Sequence, residues 1–397
     1  MRRCVPLSFA FTLFLSGANT LTVVDLKRAR NGSIKDIVDA DHARAAFLGS
    51  VGSERPTTIS TTQYAYEAYL ASVGVGNPPT YYNLIVDTGS SNTWVGANVP
   101  YVKTSTSIPT GEAVNVTYGS GNFTGYEYYD EVTIASGLVI KNQSIADATE
   151  YAGFYGVDGI IGFGPTDLTL TSLTDYPDKT IPTVMNNAYA QGIIPEQVLG
   201  VSFAPPSSND STNGKLTLGG IDDSLYIGPL LWTPVTQTAF ASHYWGVNIS
   251  VMYGFEAFTP ASLAGIVDTG TTLIYFWDSW YELYTQSIPG SFYDATYTGL
   301  TAIPESEVPF MQPITVLVSG QPLLFDAAAQ LVPPDEVEGG QAGYRYSFIL
   351  PLGDVPIPGF QFVLGLKFME RFYAVFDTDH SRVGFGYTEH TFSQTGL

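Results

Sequence analysis

Residues 83–96 read NLIVDTGSSNTWVG, and residues 264–276 read AGIVDTGTTLIYF. Each is an apolar run that ends in Asp-Thr-Gly and continues through hydroxyl residues into a second apolar run. One Asp-Thr-Gly has roughly a one in ten chance of arising at random in a chain of this length, and two in matching contexts mark an internal duplication. The apolar run reads as a strand, and the glycine permits the tight turn that lifts an aspartate from the strand end. Each copy is followed at a distance by an apolar strand end carrying glycine, GIIGF at 159–163 and VLGL at 363–366. Two related units meeting at two similar loops follow, with Asp87 and Asp268 facing each other. Carboxylates held that close do not both ionise readily, so they share one proton, and a water between them meets a base and an acid together. That arrangement suits attack on an amide carbonyl.

Outward from these motifs the texture is short β-branched and aromatic runs separated by Gly, Pro, Asn and Ser, as in KLTLGGID and YAVFDTDHSRVGFG. These are strand and turn signals, so the body is expected to be mainly β. Helical pattern is confined to short stretches such as TIPTVMNNAYAQG and FWDSWYELYTQSI. A length of 397 residues, 45% hydrophobic and 13% charged, supports two lobes with cores rather than a disordered chain. The lobe boundary is placed near Ser224, giving an N-terminal lobe over 56–224 and a C-terminal lobe over 225–397.

The first 55 residues differ from the rest. MRRCVPLSFAFTLFLSGANT has a basic start and an apolar run too short to span a bilayer, which reads as a secretory leader over 1–19. It carries Cys4, the only cysteine, so the mature chain is expected to hold no disulfide. Residues 20–55 read as a prosegment: no strong period-2 pattern, a weakly helical KDIVDADHARAAFLGS, and Lys27, Arg28, Arg30, Lys35, Arg44 and Arg55. Beyond residue 55 only eight bases face 32 acids. A body this acidic repels nucleic acid and anionic membrane, and suits an acidic setting where its carboxylates are protonated. The basic prosegment is expected to lie across the acidic cleft with Lys35 or Arg44 near the aspartates, and to be cut between about Ser50 and Ser60.

Taken together the motifs resemble those of the pepsin-like aspartic endopeptidases of the fungal secreted type, over about residues 60–390. The resemblance implies a bilobal fold of two pseudo-symmetric β lobes with the cleft between them. Residue by residue, it makes Asp87 and Asp268 the catalytic pair, supported by Gly89 and Gly270. It has Thr88 and Thr269 cross-link the two loops, while the hydroxyls of Ser90 and Thr271 bond the carboxylates. VTYGSGNFTG resembles the flap over the substrate, with Tyr118, Gly119 and Ser120 at its tip and Tyr118 bonded to Trp94. NVTY and FTGYEYYDEV alternating around Gly-Ser-Gly read independently as a hairpin. Ile160 would line the pocket for the residue before the scissile bond, and Val157 stands where relatives often have an aromatic ring. The implied activity is acidic peptide hydrolysis by a secreted monomer made as a zymogen, with protein and peptide substrates, pepstatin-like inhibitors, no cofactor and no metal.

Departures from the pattern are Leu366, where relatives have Asp after Gly, and Ser120, where some fungal relatives carry an Asp that accepts basic side chains. Ser120 therefore points to large apolar residues at the cleavage point. Of six sequons (Asn31, Asn115, Asn122, Asn142, Asn209, Asn248), Asn115 and Asn122 lie in the expected flap, and a glycan at Asn122 is expected to be absent or to point to solvent. Serine-triad and zinc chemistry lack their motifs: neither G-x-S-x-G nor H-E-x-x-H occurs. A silent relative that only binds peptides would tend to lose a dyad residue or motif glycine, and both triplets are intact. A vacuolar form is the alternative location, although TEHTFSQTGL offers no apolar anchor.

Overall fold

Both Asp-Thr-Gly turns are built alike. In the first, strand β3 (Thr80–Asp87) runs parallel to β8 (Gly159–Gly162), with Asp87 opposite Gly162, and β4 (Thr93–Val95) returns antiparallel to β8. In the second, Leu263–Val267 runs parallel to Phe362–Leu364, and Ile274–Phe276 returns antiparallel to the same strand. The sequence duplication is thus a structural one. The computed structural model describes residues 21–49, 66–119, 121–206, 212–258, 261–353 and 360–397. The leader over 1–19, the cut between Ser50 and Ser60, Ser120 and the Asn209 sequon lie outside the described residues.

The protein is mainly β, 44% strand against 15% helix. A thirteen-stranded sheet runs from Ile227–Pro234 at one edge to β5 (Ile108–Tyr118) at the other, and an eight-stranded sheet carries the second turn. Between the lobes, Phe372–Asp377 and Arg382–Tyr387 from the end of the chain pair into the same sheet as Val198–Ser202 and Gly214–Leu218. One apolar cluster accordingly runs from Val24 through Leu84 and Trp245 to Phe385, tying the two Asp-Thr-Gly supports to one core. The short helices expected at 180–192 and 276–288 are α2 (Val184–Ala190), capped by Thr183, and α3 (Asp278–Gln286).

The basic N-terminal segment holds a strand that its pattern did not reveal. Strand β1 (Thr22–Asn31) pairs with Gly214–Leu218 through its first half and with β2 (Tyr66–Val75) through its second. Period-2 alternation is present, but only Val24 and Leu26 on the inward face are apolar and buried. At 28 the same face carries Arg28, whose guanidinium meets the buried Glu67 at 2.6 Å, so charge hides the repeat. Helix α1 (Ile34–Leu48) follows, opened by a Ser33–Asp36 capping box and ended at Gly49. Its buried face carries Ile34, Ile37, Val38, Ala45 and Leu48, but also Asp41 and Arg44.

Strand β6 (Gly121–Ala135) pairs with β5 and with β7 (Leu138–Ala152), and buries a carboxyl with no cation bonded to it. Glu127 is 3% exposed; Ser144 donates to one oxygen at 2.6 Å and the other oxygen has no hydrogen-bond partner. Burial, with Glu112 acting the same way, pushes its pKa up to about 7 against the opposing Ser144 bond and Lys179. A carboxyl raised in the folded state favours folding while it stays protonated, and that advantage is lost as pH rises from the ordinary value through about 7. Glu127→Gln should therefore match wild type in urea unfolding below about pH 4 and exceed it by about 3 kcal/mol above pH 7.

Candidate active site

Asp87 ends β3 and Asp268 follows Leu263–Val267, so the two strand supports deliver both carboxylates, fully buried, to one point. The turns hold each other. Thr88 N–H donates to Thr269 Oγ1 (2.9 Å) and Thr269 N–H to Thr88 Oγ1 (3.0 Å), while the two hydroxyls donate to the carbonyls of Val267 and Val86. Each hydroxyl spans to the opposite loop, which fixes the spacing of the aspartates. Ser90 Oγ and Thr271 Oγ1 each donate to the outer oxygen of their aspartate at 2.6 Å, and the amides of Gly89 and Gly270 donate to the inner oxygens at 2.9 Å. A Cβ at Gly89 would strike the Asp268 carboxylate, and one at Gly270 would strike Asp87. The glycines are thus the room into which the two carboxylates fit.

A cation from the N-terminal segment sits between them. Arg44 of α1 donates from Nη2 to the inner oxygens of Asp87 (2.7 Å) and Asp268 (2.9 Å), and from Nε to the outer oxygen of Asp268 (2.8 Å). Arg44 is 5% exposed, so this is a buried three-charge cluster with net charge −1. Burial, joined by the neighbouring Asp268, holds the Asp87 carboxyl above the ordinary range despite Arg44. Burial also acts to raise Asp268, but there the Arg44 charge and its two bonds, with Thr271 and Gly270, outweigh it and hold the carboxyl low. The guanidinium itself is held charged: burial acts to lower it and the two carboxylates more than compensate. Lys35, the other cation considered, turns away and pairs with Asp39 of its own helix at 2.5 Å.

Over this cluster closes the hairpin of β5 and β6. Tyr118 is buried at its end, its hydroxyl accepting from Trp94 Nε1 at 3.0 Å. Phe123 stacks on Trp94 at 4.5 Å and Phe154 meets Tyr118 edge-on at 5.4 Å. Ile160, 2% exposed, and Val157 belong to the same apolar cluster. Gly119 lies against the Ala43–Arg44 backbone so closely that a Cβ would overlap it, and the hairpin thus rests on α1. Asn115 and Asn122 are both exposed on this hairpin. Leu366 is buried and its amide donates to the carbonyl of Thr271 at 2.7 Å, so the backbone supports the second loop where relatives have Asp.

Sequence reasoning missed two groups that fasten the segment. Asp41, one turn before Arg44, accepts from the amides of Thr272 (2.9 Å) and Leu273 (2.8 Å) just past the second turn. Burial pushes its pKa up to about 7. On β2, Glu67 takes Arg28 at 2.6 Å and Lys367 at 2.5 Å, and Glu336 takes Arg28 at 3.0 Å. Burial opposes ionisation of Glu67, but Lys367 and Arg28 outweigh it and bring its pKa down to about 2. The available signal was position: Asp41 and Arg44 share a helix face with Ile34, Ile37, Val38 and Leu48.

Residues 68–388 match the family described as eukaryotic aspartyl protease. The chain is 45% identical to polyporopepsin of Irpex lacteus over 325 residues, covering 81% of this chain and 95% of that protein. It is 28% identical to gastricsin of Cavia porcellus over 370 residues, covering 87% and 86%. Among solved structures, the aspartic proteinase from Irpex lacteus superposes with a TM-score of 0.80 at 40% identity, over 95% of this chain and all of that one.

Proposed function

The chain belongs to the eukaryotic aspartyl protease family and is an aspartic endopeptidase, and from that premise we propose that Asp87 and Asp268 hydrolyse peptide bonds at acidic pH, once residues 20–55 are removed. The observation that carries this reading is the pair of cross-linked Asp-Thr-Gly turns presenting two buried carboxylates to one guanidinium. With Arg44 gone, the same inward oxygens would hold a water and one shared proton. The ionised carboxylate takes a proton from the water as its oxygen attacks the peptide carbonyl carbon, while the protonated one donates to the carbonyl oxygen. The resulting diol collapses as the amide nitrogen is protonated and the C–N bond breaks, leaving a carboxylic acid and an amine. The dyad titrates as a unit, so activity falls as pH rises and the shared proton is lost.

Residues 20–55 act as an inhibitory prosegment: α1 occupies the cleft, Arg44 takes the place of the water, and the flap closes on the helix instead of on substrate. The Arg44 to Asp268 ion pair contributes docking stability above the ordinary carboxylate range, and loses it as pH falls through the lowered Asp268 value. The leader pattern at 1–19 supports secretion to the extracellular space, and among the described residues no helix is long and apolar enough to cross a membrane. The lobes span 56–224 and 225–397. Trp94, Tyr118, Phe123, Phe154 and Ile160 form an apolar wall beside Asp87, which supports large apolar residues at the scissile bond.

Incubating the purified precursor at pH 3–4 with an unfolded protein, followed by mass spectrometry of the products, tests both points. The expected result is a mature N-terminus between about Ser50 and Ser60, and product termini dominated by Phe, Leu, Tyr and Met. Cuts clustered at Lys or Arg, or full activity of the uncut precursor at neutral pH, would contradict the reading.

A further inference from the structure

On α1, the neighbour of Asp41 is a histidine packed against the second lobe with no acid bonded to it. The His42 ring lies 5.1 Å from the ring of Tyr275 and 6.2 Å from that of Tyr293. The backbone carbonyl of Pro351 lies near the ring and acts to favour its charged form. The ring's Nε2 is buried and has no hydrogen-bond partner, and the hydroxyl of Tyr275 is buried and unpartnered as well. The charged groups around the ring are Asp39 and Lys35 on α1 and Asp278 at the start of α3. Asp39 is engaged by Lys35 at 2.5 Å, and Asp278 accepts from the amide of Gly353 at 3.0 Å. The site therefore fits a neutral imidazole, because a proton added at buried Nε2 meets no hydrogen-bond partner and no free carboxylate.

We propose that His42 is the acid trigger of the prosegment: α1 docks with the imidazole neutral, and protonation of Nε2 drives the helix out of the cleft. This rests on the reading of residues 20–55 as an inhibitory prosegment. Burial lowers the pKa of the docked ring below its ordinary 6.5. Docking stability from this group is thus fully present above that value and is lost as pH falls through it toward the lowered docked value. Two carboxyls at the docked helix, Asp268 beneath it and Asp41 on it, cannot serve this range. Asp268 under Arg44 stays ionised until stronger acid, and Asp41, raised to about 7, keeps its proton better when docked and so strengthens docking on acidification. Loss of docking at His42 begins at its ordinary 6.5, whereas the Arg44–Asp268 pair fails only below the ordinary carboxylate range.

The test measures binding of fluorescein-labelled pepstatin to the uncut precursor from pH 4 to 8, normalised at each pH to the mature chain. Pepstatin also blocks self-cleavage during the measurement. His42→Phe and His42→Gln should each lower the pH midpoint of cleft opening by about one unit, and His42→Arg should open the cleft at pH 7. Opposite movement by neutral and cationic substitutions is the signature of charge, since a merely structural role would have all three loosen the helix. Midpoints that all rise, or none that moves, would overturn the trigger. The wild-type precursor in the same assay separates the two claims: binding at pH 7 equal to that of the mature chain would sink the prosegment reading itself, whereas a cleft closed at pH 7 and opened in acid, alongside unmoved His42 variants, would sink the trigger alone.

Discussion

Replacing Arg44 by alanine in the full precursor should open the cleft at neutral pH, raising its occupancy by added pepstatin about 10²–10³-fold over wild type. Arg44 supplies three hydrogen bonds to two fully buried carboxylates, and the cluster already carries net negative charge. Removing one partner of a buried ion pair costs about 3–5 kcal/mol, because the other charge is left desolvated and uncompensated. Here that cost is relieved by undocking α1, which returns both carboxylates to water while leaving the lobes folded. Arg44→Lys should fall between, since an ammonium keeps the charge but not the planar fork that reaches both aspartates at once. Equilibrium binding of labelled pepstatin at pH 7 checks the order wild type, Lys, Ala. Equal binding by all three would mean that helix packing, not the ion pair, closes the cleft.

Asp268→Asn in the mature chain, with the prosegment removed in trans by wild-type enzyme, should reduce kcat on peptides by about 10⁴-fold with little change in fold. The amide keeps an acceptor oxygen for the Gly270 amide or the Thr271 hydroxyl, and the Thr88–Thr269 cross-link does not pass through the carboxylate. What it loses is the ionisable member that, with Asp87, activates water. The same substitution has a second consequence in the precursor. Arg44 donates twice to Asp268 and once to Asp87, so Asp268→Asn should loosen the prosegment more than Asp87→Asn does. Circular dichroism and urea unfolding establish that the fold is retained, and steady-state kinetics give the loss. Retention of more than a tenth of the activity would remove Asp268 from the chemistry.

Much of the site was legible because a duplication writes it twice. Asp87 and Asp268, their glycines, their hydroxyl neighbours and Trp94 each stand in a local motif whose geometry is fixed within a few residues, and Tyr118 ends a strand whose last residues alternate. What the sequence did not disclose depends on long-range pairing. Strand β1 was hidden because Arg28 occupies an inward position, and an inward arginine makes sense only once Glu67 and Glu336 are known to meet it. Lys367 lies 300 residues from Glu67 and no local pattern links them. The choice between Lys35 and Arg44 was decidable in principle. Nine residues apart, they stand on opposite faces of a 3.6-residue helix, and Arg44 shares the face that carries Ile37, Val38 and Leu48. Asp41 and His42 escaped notice because a polar residue on a helix gains meaning from the surface it docks on.

The most direct measurement is hydrolysis of casein or haemoglobin by the purified mature chain from about pH 2 to 8, with and without pepstatin, beside Asp87→Asn. The dyad account predicts hydrolysis confined to acid, lost as the shared proton leaves, stopped by pepstatin and absent in Asp87→Asn. Hydrolysis centred at or above about pH 7, or insensitive to both pepstatin and the substitution, would contradict it.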